Sequence, residues 1–226
     1  MTENQKCLIL AIGLIFIAGI LQYASVTYMR NTTEAKFQNL RSADTLLMQT
    51  AIMTIPDSSS NLKCLKNQFD VSGKIKNYYY NIGSTFYRNY YAFSICSILF
   101  ATILAIATFL VISSGWQNSS QLIKTFFLTS ILISSFYFFL PTVLNNRENY
   151  ALNLKKGKTF NQIQLNILTF STKPYYNNSD SLSKFLGQSF DDIANNFDLE
   201  TVEIHYEKLG DDPQKLLKSA NPNFPK

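Results

Sequence analysis

Three stretches of the chain contain no charged residue, and they constrain its fold more than any other feature. They are residues 7–29, 89–123 and 125–146, with 23, 35 and 22 residues. An α-helix rises about 1.5 Å per residue and the hydrocarbon core of a bilayer is about 30 Å thick, so roughly 20 apolar residues cross it. Each stretch can therefore form a transmembrane helix. This pattern excludes a secreted disulfide-bonded domain, a disordered chain and a single soluble domain.

The first stretch predicts a transmembrane helix that ends near residue 29. A cleaved signal peptide is the alternative, but the apolar run is longer than the roughly 7–15 residues typical of one. The second and third helices are predicted at residues 92–112 and 122–144. The polar turn Gly115–Gln121 joins them, so they are expected to be antiparallel neighbours in a transmembrane hairpin.

Lysine and arginine are unevenly divided among the segments that these helices separate. Eight lie in residues 30–88 and ten in residues 147–226, against one before the first helix and one, Lys124, beside the turn. Positive residues accumulate on the cytoplasmic side of a membrane. We therefore expect an N-terminus outside, a cytoplasmic C-terminus and a location in a bacterial inner membrane.

The first long segment, residues 30–91, is predicted to be a cytoplasmic helical hairpin. Apolar residues recur at three- and four-residue steps before and after Pro56, which marks the turn. Ser59 belongs to a serine run that offers a cap for the second helix. The pair Ser72-Gly73 is expected to interrupt that helix.

The C-terminal segment, residues 145–226, is predicted to start as a helix that continues the third transmembrane helix, with a kink at Pro141. A β-hairpin is the alternative for residues 147–171, because that part also fits a two-residue period. Asp180 or Ser181 is the expected cap of a following amphipathic helix. Alternation at residues 202–206 suggests a short strand.

The predicted fold class is therefore an all-α membrane protein. Three transmembrane helices carry helical cytoplasmic extensions and a small C-terminal tail, which is α, or α+β if the strand forms. The predicted divisions of the chain are residues 1–29, 30–91, 92–144 and 145–226.

Residues suited to catalysis are few. His205 is the only histidine, and no paired-cysteine motif or phosphate-binding glycine pattern occurs. Its neighbours Glu200, Glu203 and Glu207 could complete a weak carboxylate–imidazole site, but a solvated polar edge is the simpler interpretation. We therefore predict no enzymatic activity, no catalytic residue, no cofactor and no metal.

Small residues at four-residue spacing in the second and third spans allow close helix packing. Packing within the hairpin is the favoured interpretation, and a subunit interface is the alternative. The predicted helix-packing residues are Ser97, Ala101, Ala105, Ser130 and Ser134.

The predicted function is that of a non-enzymatic, oligomeric membrane protein whose cytoplasmic helices sense a partner or signal, with a pore-type or effector role as one form of it. A passive scaffold or assembly subunit of a larger membrane complex is the alternative. The expected partners are the lipid bilayer and a second copy or another membrane protein. No nucleic acid is expected, because the basic residues adjoin the membrane. The layout resembles that of small bacterial membrane effectors of defence systems in architecture alone.

Overall fold

The computed structural model describes residues 2–55, 59–173, 178–197 and 212–222, without the side chains of residues 36, 38–44 and 52. Of these residues 91% are helical and none is in a strand. The all-α prediction is confirmed for this part of the chain. The strand suggested at residues 202–206 lies outside it.

The described helices follow one another along the chain, and the first two are unusually long, with 52 and 55 residues. They are α1 (Glu3–Thr54), α2 (Ser60–Ser114), α3 (Gln121–Val143), α4 (Asn146–Ser171), α5 (Ser179–Asn196) and α6 (Pro213–Ala220). They form two compact units. The first unit consists of residues 1–35 and 85–150, and the second unit of residues 36–84 and 151–226.

Three parts of the described chain are helices long and apolar enough to cross a membrane. They lie within Glu3–Ala35, Ser60–Ser114 and Gln121–Ser171. Large apolar side chains on these helices are exposed, such as Phe16 at 69% and Phe109 at 70%. Water would make such a surface unfavourable, whereas lipid tails accommodate it. The prediction of three membrane-spanning helices agrees with this arrangement.

The core of the first unit lies where α1, α2 and α3 meet. Ala18, Cys96, Phe100 and Tyr137 are buried there, and the rings of Phe100 and Tyr137 stack with centroids 5.1 Å apart. The Tyr137 hydroxyl donates to the Ala18 carbonyl at 3.3 Å. This bond keeps the one polar atom of the ring satisfied in an apolar setting.

The turn between α2 and α3 has the residues that its backbone requires. Gly115 has φ +72°, in the left-handed region that glycine adopts without a steric cost. The Ser119 hydroxyl donates to the Gly115 carbonyl at 2.8 Å, and the Ser120 side chain accepts from the Ile123 amide at 3.4 Å. Lys124 Nζ lies 5.6 Å from the centroid of the Trp116 ring. The predicted hairpin turn is confirmed.

The helix predicted for residues 147–171 is confirmed by α4, and the β-hairpin alternative is wrong. Pro141 lies inside α3, so the break between α3 and α4 comes after it, and the kink predicted at Pro141 stays a prediction. The break falls at Asn145, which has φ +47°, and its amide donates to the Thr142 carbonyl at 3.1 Å. Asparagine tolerates the left-handed region better than most residues, so it can end one helix directly before the next.

The interruption predicted at Ser72-Gly73 is wrong, because α2 continues through both residues. A Cβ atom placed on Gly73 would lie 2.7 Å from Gln164 Nε2. Gly73 therefore serves a close approach between α2 and α4. Its helix-weakening effect, about 1 kcal/mol relative to alanine, is offset by that packing.

The caps of the second unit agree in part with the prediction. The Ser59 hydroxyl accepts from the Leu62 amide at 3.3 Å, as expected for α2. Helix α5 is capped by Asn178 instead of Asp180 or Ser181, and the Asn178 side chain accepts from the amides of both. The helix therefore begins two to three residues earlier than predicted.

Candidate functional site

The structure places the five predicted helix-packing residues on different surfaces of α2 and α3. The Ser134 hydroxyl donates to the Phe100 carbonyl of α2 at 2.9 Å, and Ser130 is buried with its hydroxyl on the Phe126 carbonyl of its own helix. Ser97 is half-buried, and Ala101 and Ala105 are exposed. The packing role of this set stays a prediction.

The face of α2 that packs inside the first unit carries Ala92, Cys96, Phe100 and Ala107, all buried. Three of them are spaced by four residues, so they form one stripe along the helix. The predicted small residues of α2, Ser97, Ala101 and Ala105, form a neighbouring stripe on the same helix. The sequence alone could not decide between them, because both stripes are free of charge.

The weak catalytic candidates Glu200, Glu203, His205 and Glu207 lie outside the described residues. Within the described ranges, no group of three or more histidine, cysteine or acidic residues could hold a metal ion. Cys7, Cys64 and Cys96 form no disulfide bond with one another. The interior of the second unit offers a better-formed polar site.

Polar side chains run along the buried interior of α2. Gln68 and Ser72 are 0% exposed and Lys76 is 1% exposed. They are spaced by four residues, so they lie one above another on one face of the helix. Apolar neighbours such as Leu65 and Ile75 are also fully buried, so α2 is enclosed on several sides. A lysine in this setting is uncommon.

The Lys76 ammonium is held by a hydrogen bond across two helices. Its Nζ donates to Gln164 Oε1 on α4 at 2.5 Å, and Gln164 Nε2 donates to the Phe69 carbonyl of α2 at 3.1 Å. Gly73 gives this amide the room it needs beside α2. The aromatic pair Tyr79 and Phe160, stacked at 5.8 Å, fixes α4 against α2 one turn away. Contacts on both helices therefore hold the surroundings of Lys76 together.

Gln68 connects α2 to the two C-terminal helices. Its Nε2 donates to the Leu186 carbonyl of α5 at 3.0 Å and to the Ala220 carbonyl of α6 at 2.9 Å. Its Oε1 has no hydrogen-bond partner within the protein. An unsatisfied buried acceptor of this kind costs roughly 1–3 kcal/mol. Gln68 thus links α2 to both α5 and α6.

A cavity of about 380 Å³ opens beside Lys76. Helices α1, α2, α4 and α6 all contribute to its wall. Its lining residues include Met48, Asn67, Asp70, Lys74, Lys76 and Gln164. Volumes of roughly 300–1,000 Å³ are typical of small-molecule sites. We refer to this space as the Lys76 cavity.

The wall of the Lys76 cavity combines apolar side chains with polar and charged ones, and it carries a small positive excess. Two of its lining residues, Lys74 and Lys76, are basic and one, Asp70, is acidic. Amide groups of Asn67 and Asn77 add hydrogen-bond donors and acceptors. Such a lining can hold a small molecule with one or two negative groups. The arrangement offers binding chemistry for such a molecule.

The sequence held only a weak signal for this site. The pattern Gln68, Ser72 and Lys76 is visible as a polar step inside an apolar run. A solvated face of an amphipathic helix gives the same pattern. A buried site differs from a solvated helix face because α4, α5 and α6 cover it. Helix α6 was not predicted from the sequence.

Comparisons with known proteins give no match: no family model, no curated protein and no solved structure corresponds to this chain. Its function is therefore argued from the geometry of its own residues.

Proposed function

We propose that this protein is a membrane-anchored sensing protein whose second unit binds a small anionic molecule in the Lys76 cavity. The cavity carries this proposal, since it combines a buried ammonium group with amides and a volume suited to a small ligand. A carboxylate or phosphate group would accept hydrogen bonds from Lys76 Nζ, and its charge would offset the burial of that cation.

Burial of a lysine is costly, and this supports a role beyond packing. Removing an ammonium from water costs several kcal/mol even after the protein relaxes around it. Buried ionisable groups in clefts are concentrated at functional sites for this reason. The contact with Gln164 offsets part of the cost, and a bound anion would offset more.

The proposal includes a topology. We place the N-terminus outside a bacterial inner membrane and the segments 30–91 and 145–226 in the cytoplasm. The support is the distribution of Lys and Arg, with eight and ten in these segments against one in each of the two others. The sensed molecule would then be cytoplasmic.

The proposal also includes self-association in the membrane. Ala101 and Ala105 are exposed on α2, where small side chains would let a second copy approach closely. Size-exclusion chromatography with light scattering in a mild detergent tests this part. A defined homo-oligomer is the expected result, whereas a monomer that co-purifies with other proteins would favour the scaffold alternative.

The binding proposal is tested on detergent-purified protein by the midpoint of thermal unfolding, followed by circular dichroism at 222 nm. The probes are citrate, inorganic phosphate and adenosine monophosphate, each titrated into the wild type and into Lys76→Met. We expect at least one probe to raise the midpoint of the wild type and to have no effect on Lys76→Met.

Lys155→Met is the matched control, because Lys155 is an exposed lysine of α4. It should keep the full response to the probe. A response that persists in Lys76→Met, or no response to any probe, would overturn the binding proposal.

A further inference from the structure

The first unit contains buried polar atoms that no protein group satisfies. Thr33 Oγ1 on α1, Arg88 Nε on α2 and Asn146 Nδ2 on α4 have no hydrogen-bond partner within the protein. Thr33 is 4% exposed and Asn146 is 2% exposed. Each unsatisfied buried group costs roughly 1–3 kcal/mol. Native proteins usually give such groups a partner, which can be an ordered water, an ion or a ligand.

Contacts between α1 and α2 place Thr33 level with Arg88. The Cys96 thiol lies 3.5 Å from the Ser25 hydroxyl, and one turn further Met29 packs against Ala92. The helices are therefore antiparallel, and each four-residue step on α1 matches a four-residue step back on α2. Thr33 follows Met29 by four residues and Arg88 precedes Ala92 by four. Both therefore lie on the facing stripes at the next turn.

Asn146 belongs to the same region. The Tyr150 ring packs on the cluster of Met29, Tyr87 and Ala92, with its centroid 5.0 Å from that of Tyr87. Asn146 precedes Tyr150 by four residues and shares its helix face. The register of the helices therefore places a hydroxyl, a guanidinium and an amide each within about one helical turn of the same aromatic cluster.

The depth of this cluster in the membrane follows from the charge pattern. The first uncharged stretch ends at Met29, the second begins at Asn89 and the third ends at Asn146. All three boundaries fall beside the three unsatisfied donors. These donors therefore lie where apolar helix gives way to charged residues, which is the depth of lipid headgroups.

The chemistry of the three groups favours an oxyanion. Each can donate a hydrogen bond, and the guanidinium adds a full positive charge in a fork that fits phosphate oxygens. The nearby carboxylate of Glu34 accepts from Arg30 Nε at 3.1 Å. The site therefore has positive charge and donor capacity that a phosphate would satisfy.

We propose that Thr33, Arg88 and Asn146 bind the headgroup phosphate of an anionic phospholipid. The lipid tails lie along the apolar faces of the spans, and the phosphate reaches the donors from the leaflet that adjoins Arg88. The phosphate supplies the acceptors that the protein lacks, and the site selects anionic lipid because it is positive.

The test measures the midpoint of thermal unfolding in dodecyl maltoside while a lipid is added. Phosphatidylglycerol is the probe, and phosphatidylcholine and inorganic phosphate are the comparisons. Phosphatidylglycerol should raise the midpoint of the wild type more than either comparison. Arg88→Gln should weaken the apparent affinity for phosphatidylglycerol about tenfold or more, because a hydrogen bond to a charged group is worth at least that factor.

The matched control is Arg147→Gln, since Arg147 is exposed at the same boundary. It should keep the wild-type lipid response. Thr33→Val removes the hydroxyl with little change of shape and should lower the lipid response while the protein stays folded. This variant tests the site even if Arg88→Gln does not fold.

An unchanged response to phosphatidylglycerol in both Arg88→Gln and Thr33→Val would overturn the proposal. An equal midpoint shift with inorganic phosphate alone would overturn the lipid assignment in favour of a free anion. Equal shifts with phosphatidylcholine would contradict the selectivity for anionic lipid.

Discussion

Lys76 and Gln164 form a buried hydrogen bond inside the second unit. Single and double substitutions of this pair should therefore differ in their effect on the free energy of unfolding. Lys76→Met leaves Gln164 Oε1 without its donor. We expect the free energy of unfolding to fall by about 1–3 kcal/mol, the cost of an unsatisfied buried group. Lys76→Met combined with Gln164→Met removes both partners with little change in shape and should recover most of this loss. Urea unfolding followed by circular dichroism measures both, and strictly additive losses would contradict the coupling.

Glycine substitutions separate packing from helix propensity. A Cβ on Gly157 would overlap the buried ring of Tyr80, whereas a Cβ on Gly187 meets nothing within 4 Å. Gly187→Ala should therefore raise the free energy of unfolding by about 0.5–1 kcal/mol through helix propensity alone. Gly157→Ala should lower it by about 1 kcal/mol or more, since overpacking outweighs the same gain. Equal effects in the same urea experiment would show that Tyr80 moves aside without cost.

The burial of Lys76 could not be predicted from the sequence. Leu62, Leu65 and Phe69 predicted one apolar face of α2, and this face is buried. Gln68 and Lys76 lie beside that face and are ordinary solvated positions unless other helices cover them. Only the tertiary arrangement of α4, α5 and α6 supplies that cover, through contacts such as Gln68 with Leu186.

At the scale of elements, the junction of α3 and α4 depends on one residue. Asn145 has φ +47°, a conformation that glycine adopts freely and β-branched residues strongly disfavour. We expect Asn145→Gly to leave stability unchanged or slightly raised. Asn145→Val should lower the free energy of unfolding by about 1–2 kcal/mol. Thermal unfolding in detergent compares the two, and equal midpoints would mean that the break tolerates another backbone conformation.

The exposed and inward surfaces of the hairpin should respond differently to substitution. Ala101→Leu and Ala105→Leu change positions that are exposed on the single chain, so they should leave the stability of the single chain within about 0.5 kcal/mol. Ser134→Ala removes the bond to the Phe100 carbonyl and should cost about 0.5–1 kcal/mol. Unfolding in mild detergent measures both effects. The two leucine variants should also lower the oligomeric mass, because the proposed self-association uses the small side chains of Ala101 and Ala105, and an unchanged mass would contradict an interface between copies there.

Element boundaries were predictable where charge or turn residues marked them. The third predicted span, residues 122–144, agrees closely with α3 because the turn Gly115–Ser120 and the charges beyond it limit its length. Helix α6 was missed, although Asp212 caps it and Pro213 occupies its first turn. An Asp-Pro pair is also a common turn, so this signal had two meanings.

At the scale of the molecule, the division into two units could not be predicted from the order of residues along the chain. Each unit is built from two separate segments, because α1 and α2 both continue beyond the part that belongs to the first unit. Uncharged stretches show where a helix meets lipid and say nothing about where it ends. Helix α1 continues through residues 30–35 and helix α2 through residues 84–91. Helix propensity and packing together allow this, since no proline or glycine pair interrupts either segment.

Topology is the property of the whole molecule that charge alone predicts, and labelling single cysteines tests it. In a variant without Cys7, Cys64 and Cys96, a cysteine is introduced by Gln117→Cys in the exposed turn or by Lys226→Cys at the C-terminus. A membrane-impermeant maleimide should label the first in intact cells and the second only after the membrane is opened. The reason is that Lys and Arg are retained on the cytoplasmic side during insertion. The reverse pattern would place the two lysine- and arginine-rich segments outside the cell, and a cytoplasmic ligand for the Lys76 cavity would then be excluded.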